Sequence, residues 1–252
     1  MLSLNKSVFI TGGTSGIGAQ MAMDYFAKGY RVGVCSRHRS TFDKNISNEK
    51  ISFYEADVTD KESINTAIAD FSKFGLDIIV ASAGRGYKNK SAIPNFDDCR
   101  DIINLNLIGT INTFEAAIKY FAKEKISGQL VGISSLAAFN GLPGAPAYSA
   151  SKMGLVQYCE SLSLSLASLN ISVTCICPGF INTPLVKTNR HPMPFLTEVD
   201  VASKKFIDAI EKEKKLFVYP KLFGFITLII GRLPRFIFRF IIKRSKLNYT
   251  KS

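Results

Sequence analysis

No acidic residue occurs after Glu213, although the chain continues to Ser252. All twenty Asp and Glu lie in the first 213 residues, where 22 of the 32 basic residues leave a balance of only +2. The other ten Lys and Arg fall between Lys214 and Ser252. A net charge of +12 spread over a surface points to nucleic acid. Confined to one tail it does not, and no nucleic-acid partner is expected. Metal-binding patterns are missing too. The five cysteines, Cys35, Cys99, Cys159, Cys175 and Cys177, contain no CxxC pair and have no histidine at ligand spacing. Cys175 and Cys177 alternate along a strand-like run, so buried thiols are expected, with no disulfide and no metal. Long apolar runs are absent at both ends. Met1 to Lys6 is too short for the apolar region of a signal peptide, so the body is expected in the cytoplasm. The longest uncharged run of the tail, Leu222 to Gly231, has ten residues, about half of a bilayer crossing.

What is present is a chain of 252 residues, 46% hydrophobic and 21% charged, suited to one globular domain. The β-branched run Ser7 to Thr11 ends in Gly12-Gly-Thr14-Ser15-Gly16-Ile17-Gly18, and an amphipathic helix follows up to Gly29. A strand, a glycine-rich turn and a helix opening form a phosphate site, because bare backbone can approach a pyrophosphate at the helix N-terminus. A purely structural turn is the plainer alternative. A second strand, Arg31 to Ser36, leads to Arg37-His38-Arg39, where an NAD-binding fold places an acid for the ribose hydroxyl. A guanidinium there binds a 2′-phosphate with paired hydrogen bonds, which favours NADP(H); the alternative is a solvated basic turn. His38 and His191 are read as incidental.

A polar crossover, Ser40 to Lys50, precedes a strand from Ile51 to Ala56 that ends at Asp57-Val58. Asp60 to Lys73 fits a helix, and Asp77 to Ser82 a buried strand ending in Ser82-Ala83-Gly84, small enough to admit a flat ring. Phe96 to Glu124 has helical periodicity with Asn104 and Asn106 inside it, where asparagine is unfavourable and a polar task is plausible. Gly128 to Ser134 is a strand that delivers Ser135. Ala147 to Leu169 is a helix with Leu155, Cys159, Leu162, Leu166 and Leu169 along one stripe. Ile171 to Cys177 is a strand followed by Pro178-Gly179, and Leu216 to Tyr219 is the last strand. This alternation predicts an α/β fold, a doubly wound parallel sheet of Rossmann type, with ligands at the carboxyl ends of its strands.

Tyr148 and Lys152 are four residues apart, so they lie one turn from each other on one helix side. A free phenol has a pKa of roughly 10. A neighbouring ammonium favours the phenolate and brings it toward the range of a general acid or base. Ser135, thirteen positions upstream, could hold a substrate oxygen beside it. An isolated pair of this kind is an ordinary solvated one; the other motifs argue for chemistry.

Over residues 6 to 218 the chain resembles the short-chain dehydrogenases/reductases. The resemblance rests on Thr11 to Gly18, Asp57-Val58, Ala81 to Gly84, Asn106, Ser135, Tyr148, Lys152 and Pro178-Gly179-Phe-Ile181-Asn-Thr183. It implies that Tyr148 is the general acid in reduction and that Ser135 polarises the carbonyl. Lys152 would bind the nicotinamide ribose and depress the tyrosine pKa, and Asn106 would hold a water leading to solvent. Ile181 and Thr183 would contact the nicotinamide end, and Asp57-Val58 would lie near the adenine. Ser82 departs from the family's usual asparagine. The family relation also implies a homodimer or homotetramer and a substrate lid between Pro184 and Thr197. The expected function is NADP(H)-dependent interconversion of a carbonyl and an alcohol, on a lipophilic substrate if the tail is interfacial. An epimerase or dehydratase, or a binder of NADP(H) without turnover, are the alternatives.

The division expected is a catalytic domain over 1–218 and a basic, apolar tail over 219–252. From Pro234 onward Arg235, Arg239 and Lys243 recur every four residues, with Phe236, Ile237, Phe240 and Ile241 opposite. Through residues 222–244 the tail could lie on the inner face of an anionic membrane, or pack on the body or a second subunit.

Overall fold

The computed structural model describes residues 6–39, 51–87, 93–187 and 193–244. The chain enters through β1 (Ser7–Thr11), α1 (Gly16–Ala27) and β2 (Arg31–Ser36), then continues through β3 (Ile51–Glu55), α2 (Lys61–Ser72) and β4 (Ile78–Ala81). Next come α3 (Phe96–Ile103), α4 (Gly109–Glu124), β5 (Gly128–Ile133), α5 (Pro146–Ser165) and β6 (Ile171–Pro178). The final third holds β7 (Ile181–Asn182), α6 (Pro184–Lys187), β8 (Thr197–Glu198), α7 (Val199–Glu211), β9 (Leu216–Tyr219), α8 (Lys221–Arg232) and α9 (Arg235–Arg244). Seven strands form one parallel sheet in the order β3-β2-β1-β4-β5-β6-β9. The order reverses beside β1, between β1 and β4, which opens a crevice at the carboxyl ends of these strands.

The sheet is doubly wound because its strands are apolar on both sides. All five residues of β1 are buried, and β4 is buried throughout. Phe9, Phe71, Phe114 and Leu155 belong to the layer on one face. Ile10, Met21, Tyr25, Phe206 and Ile210 belong to the layer on the other. Helix starts are set by local chemistry: Asp60 accepts from Glu62 and Ser63 N–H at 3.0 and 3.3 Å, and Asn95 accepts from Asp98 N–H at 2.9 Å.

The structure differs from the expected elements in several regions, among them the short β7, α6 and β8 and the helix α8. The helical stretch 96–124 is not continuous: between α3 and α4, residues Asn104–Ile108 form one wide π-helical turn. Such a turn adds a residue to the repeat and turns side chains inward, and Asn106 is completely buried there. Leu169 leaves the expected apolar stripe, because α5 stops at Ser165 and a tight turn over Ala167–Leu169 exposes it. Helix α7 had no counterpart among the expected elements, yet its buried Ala202, Phe206, Ile207 and Ile210 close the second layer. The crossover 40–50, His191 and the residues after Arg244 lie outside the described residues.

Past residue 218 the helix α8 stays on the body. The Asn140 amide donates to Thr227 O at 3.1 Å. A Cβ on Gly231 would stand 2.6 Å from Phe139 O, and one on Gly224 would stand 2.9 Å from Val218 Cβ. Helix α8 therefore lies against β9 and the loop after β5, at distances that only glycine allows. Among the described residues no helix is long and apolar enough to cross a membrane.

Phe71 is fully buried, with its ring centroid 5.3 Å from that of Phe9 and the Arg31 guanidinium 3.8 Å above it. Phe71→Ala should lower stability by about 3–5 kcal/mol in urea denaturation, without altering the far-ultraviolet dichroism of the folded form.

Candidate active site

The glycine turn follows β1 and is held against the end of β4. Gly12 has φ +65° and Gly16 φ +53°, conformations that L side chains rarely adopt. A Cβ on Gly12 would come 2.8 Å from Ala83 Cα, and one on Gly18 would come 2.5 Å from Gly12 O. Ser82 and Ala83 N–H both donate to Thr11 Oγ1, at 3.2 and 3.3 Å, fixing the strand end Ser82-Ala83-Gly84 beside the turn. Ser15 stands at the N-cap of α1 in extended conformation, and its side chain makes no cap bond. The first amides of α1 are thus left to an anion, which fits a pyrophosphate cradle.

Arg37 is exposed just beyond β2, where Ser36 Oγ donates to His38 O at 2.6 Å and shapes the turn. Asp57 is fixed by its own loop, its Oδ1 accepting from Thr59 N–H at 2.9 Å and Thr59 Oγ1 at 2.8 Å. Val58 is buried, with its carbonyl accepting from the Asn112 amide at 2.9 Å.

Ser135, Tyr148 and Lys152 converge on one cavity of about 380 Å³. Gly12, Ser15, Gly16, Ile17, Ser82, Ala83 and Gly84 line the same cavity, and so do Pro178, Gly179, Ile181 and Thr183. Thr14, Gly18, Arg37, Asp57, Val58 and Asn106 do not. The Lys152 ammonium lies 5.9 Å from the centre of the Tyr148 ring and donates to Ile133 O at 2.8 Å. Ser134 Oγ donates back to Lys152 O at 2.7 Å, so β5 and α5 are tied twice at this residue.

The direction of the phenol's shift is the reverse of that expected from spacing alone. Burial raises the Tyr148 pKa, and its hydrogen bond with Ser135 opposes this without cancelling it. Lys152 is itself brought down to about 8 by burial, with the nearby Cys175 and Cys177 acting weakly the other way. The ammonium spends its bond on a strand carbonyl, and both groups stand in an apolar surround that disfavours either charge.

Asn106 fills a joint behind the cavity. Its amide donates to Arg85 O at 3.0 Å and Ser151 Oγ at 3.1 Å, while its Oδ1 accepts from Arg85 N–H at 2.9 Å. The segment 84–87 is thereby clamped to α5. Arg85 also pairs with Asp98 at 2.5 Å and Asp101 at 3.2 Å, and Tyr87 OH accepts from Ala147 N–H at 2.9 Å.

Several lining residues were not foreseen. Phe223, Ile226, Thr227 and Ile230 of α8 form one wall, with Asn140 and Leu142 also lining the cavity, whereas the lining Leu185 and Val186 fall in the segment expected as a lid. Phe223 stacks on Phe180 at 6.0 Å and on Phe195 at 5.6 Å. The spacing 223, 226, 227, 230 is a helical stripe that the sequence does carry. What was missing was the surface it faces. Ser134 had no signal beyond its place before Ser135.

The family description "short chain dehydrogenase" matches residues 6–194. An uncharacterized oxidoreductase of Myxococcus xanthus is 36% identical over 200 residues, covering 77% of this chain and 79% of the relative. A 3-oxoacyl-[acyl-carrier-protein] reductase FabG of Chlamydia muridarum is 30% identical over 194 residues, covering 74% of this chain and 78% of the relative. Among solved structures, ElxO with NADP bound aligns with a TM-score of 0.76 at 26% identity, over 85% of this chain and 96% of that one. A short chain dehydrogenase of Burkholderia cenocepacia in complex with NADP shares the fold, with a TM-score of 0.83 at 19% identity over 97% of this chain and all of its own. The chain belongs to the short-chain dehydrogenase/reductase family of oxidoreductases.

The Lys152 shift has a thermodynamic consequence. Its folded pKa lies below the unfolded value, so burying the ammonium costs stability at neutral pH, and the cost disappears as pH rises from about 8 toward 10.5. Comparing wild type with Lys152→Met by urea denaturation at pH 7 and pH 10 isolates this group from the cysteines. The stability of wild type relative to the variant should rise by roughly 2–3 kcal/mol between the two pH values.

Proposed function

We propose that this protein is an NADP(H)-dependent oxidoreductase that reduces a ketone or aldehyde of a lipophilic substrate, or oxidises the corresponding alcohol. The observation that carries the reading is the convergence of Ser135, Tyr148 and Lys152 on the cavity that the glycine turn also lines. Relatives support it: one is named a 3-oxoacyl reductase, and two structural neighbours carry NADP.

The residues present fit the cofactor. The uncapped start of α1 and the left-handed Gly12 and Gly16 would take the pyrophosphate, and the exposed Arg37 would take a 2′-phosphate. Asp57 and Val58, held by Thr59 and Asn112, would border the adenine end. Pro178, Gly179, Ile181, Thr183 and the small Ser82-Ala83-Gly84 end would border the nicotinamide end. The nicotinamide supplies or accepts the hydride.

The protein's own task is the proton. Ser135 holds the substrate oxygen beside the phenol. Tyr148 gives its proton to that oxygen as the carbonyl carbon becomes tetrahedral, and Lys152 stabilises the phenolate left behind. Burial keeps Tyr148 protonated and makes it a weaker acid than a free phenol, so the positive charge of Lys152 beside the departing proton is what would favour the transfer. Asn106 keeps Arg85 and Ser151 in register behind Lys152, beside any water that re-protonates the pair. Phe180, Phe223, Ile226 and Ile230 make the far wall apolar, which favours an alkyl chain or a ring over a charged substrate. The exposed Phe96 and Ile108 on the α3–α4 side support assembly as a homodimer or homotetramer.

Two measurements test the reading. With a panel of carbonyl compounds and NADPH, Tyr148→Phe should lower kcat/KM by about 10²–10⁴ while nucleotide binding persists, and equal rates would remove Tyr148 from the chemistry. Arg37→Asp should turn the preference from NADPH toward NADH by at least about tenfold, and an unaltered ratio would show that Arg37 does not meet the 2′-phosphate.

A further inference from the structure

Helix α8 presents three faces, and two of them already have partners. Gly224 and Gly231 press on Val218 and Phe139, and Phe223, Thr227 and Ile230 face the cavity. The third face carries Leu222, Phe225 and Ile229, all exposed, with Phe225 at 62%. Ile226 stands at the seam, lining the cavity while remaining 40% exposed. Leu185 likewise lines the cavity while half exposed. Helix α9 extends the apolar surface with Phe236, 74% exposed, and Phe240.

This apolar face is set in basic residues alone. Lys221, Arg232, Arg239 and Arg244 are exposed along α8 and α9, and the Arg244 guanidinium lies 4.2 Å from the centre of the Phe240 ring. No acid occurs anywhere after Glu213 to offset them. Soluble proteins rarely leave so many aromatic and aliphatic side chains side by side in water. A second protein copy would bring the same positive charge against itself. An anionic lipid surface offers both an apolar layer for the side chains and a negative layer for the cations.

We propose that the outer face of α8, continued by α9, docks on an anionic bilayer with the rim of the cavity turned toward the lipid. Docking stands on the surface alone; only the further consequence, entry of a bilayer-borne substrate past Ile226 and Leu185, rests on the reductase reading. The inner and outer faces of one helix thus join the reacting groups to the membrane.

The test is sedimentation of the full-length protein, without nucleotide or substrate, with phosphatidylcholine vesicles containing or lacking phosphatidylglycerol. Binding should require phosphatidylglycerol and fall with added salt. Phe225→Asp with Ile229→Asp should lower the bound fraction at least about tenfold while dichroism and NADPH binding stay unchanged. Arg232→Glu with Arg239→Glu gives an independent variant that spares the apolar residues and should produce the same loss. Absence of binding to the anionic vesicles, or equal binding by wild type and both variants, would overturn the proposal. So would a concentration-dependent dimer, seen by light scattering, that the aspartates abolish while vesicle binding is lacking: the face would then belong to a second copy. None of these failures touches the assignment of Tyr148.

Discussion

The double tie between β5 and α5 is the constraint on which the site depends. Lys152 donates to Ile133 O and receives a bond at its own carbonyl from Ser134, so a strand end and a helix are fixed to each other at one buried residue. Ser135, at the exit of β5, and Tyr148, one turn before Lys152, are placed by that tie. Its energetic character is mixed. An ammonium kept in an apolar surround is costly, and the carbonyl bond recovers only part of the cost. The fold maintains this arrangement because the sheet behind it is apolar on both faces and leaves the strand ends little freedom.

A second constraint meets the first across the crevice. Gly12 and Gly18 allow backbone to touch backbone, and the Thr11 hydroxyl fastens the end of β4 to the turn after β1. Asn106 then ties the following residues to α5 through Arg85 and Ser151. A continuous polar chain therefore runs around the back of the cavity, while its front is closed by aromatic and aliphatic side chains. In the proposed reaction the polar side would handle the proton and the apolar side would meet the bulk of the substrate.

Much of this was legible in the sequence. The seven strands of the main sheet declared themselves through apolar or β-branched runs, most of them ending in Gly, Ser or Pro, whereas the short pair β7 and β8 did not; the glycine spacing marked the turn that opens α1. The glycine turn, Ser82 to Gly84, Ser135 and Pro178 to Thr183 could be named because each follows a strand end, and strand ends share one edge in a parallel sheet; Tyr148 and Lys152 were named from their spacing on one helix. The π-helical turn at Asn104–Ile108 could not be read, since its extra residue disturbs the helical repeat without changing composition. Only the unfavourable asparagines hinted at it. The phenol's shift was misjudged because spacing reports that a cation is near, not that burial acts on both groups. The role of α8 was hidden for a different reason: its stripe at 223, 226, 227 and 230 looks the same whether it faces lipid, another subunit or a cavity.

The position of that wall along the chain has one more effect. Ser135, Tyr148 and Lys152 all lie before Thr183, whereas Phe223, Thr227 and Ile230 come after the last strand of the sheet. On the proposed reading, the groups that would carry the chemistry and the wall that would select the substrate are therefore encoded in separate stretches of the chain. Exchanging α8 alone would then be expected to change which substrates are accepted while leaving Ser135, Tyr148 and Lys152 where they are.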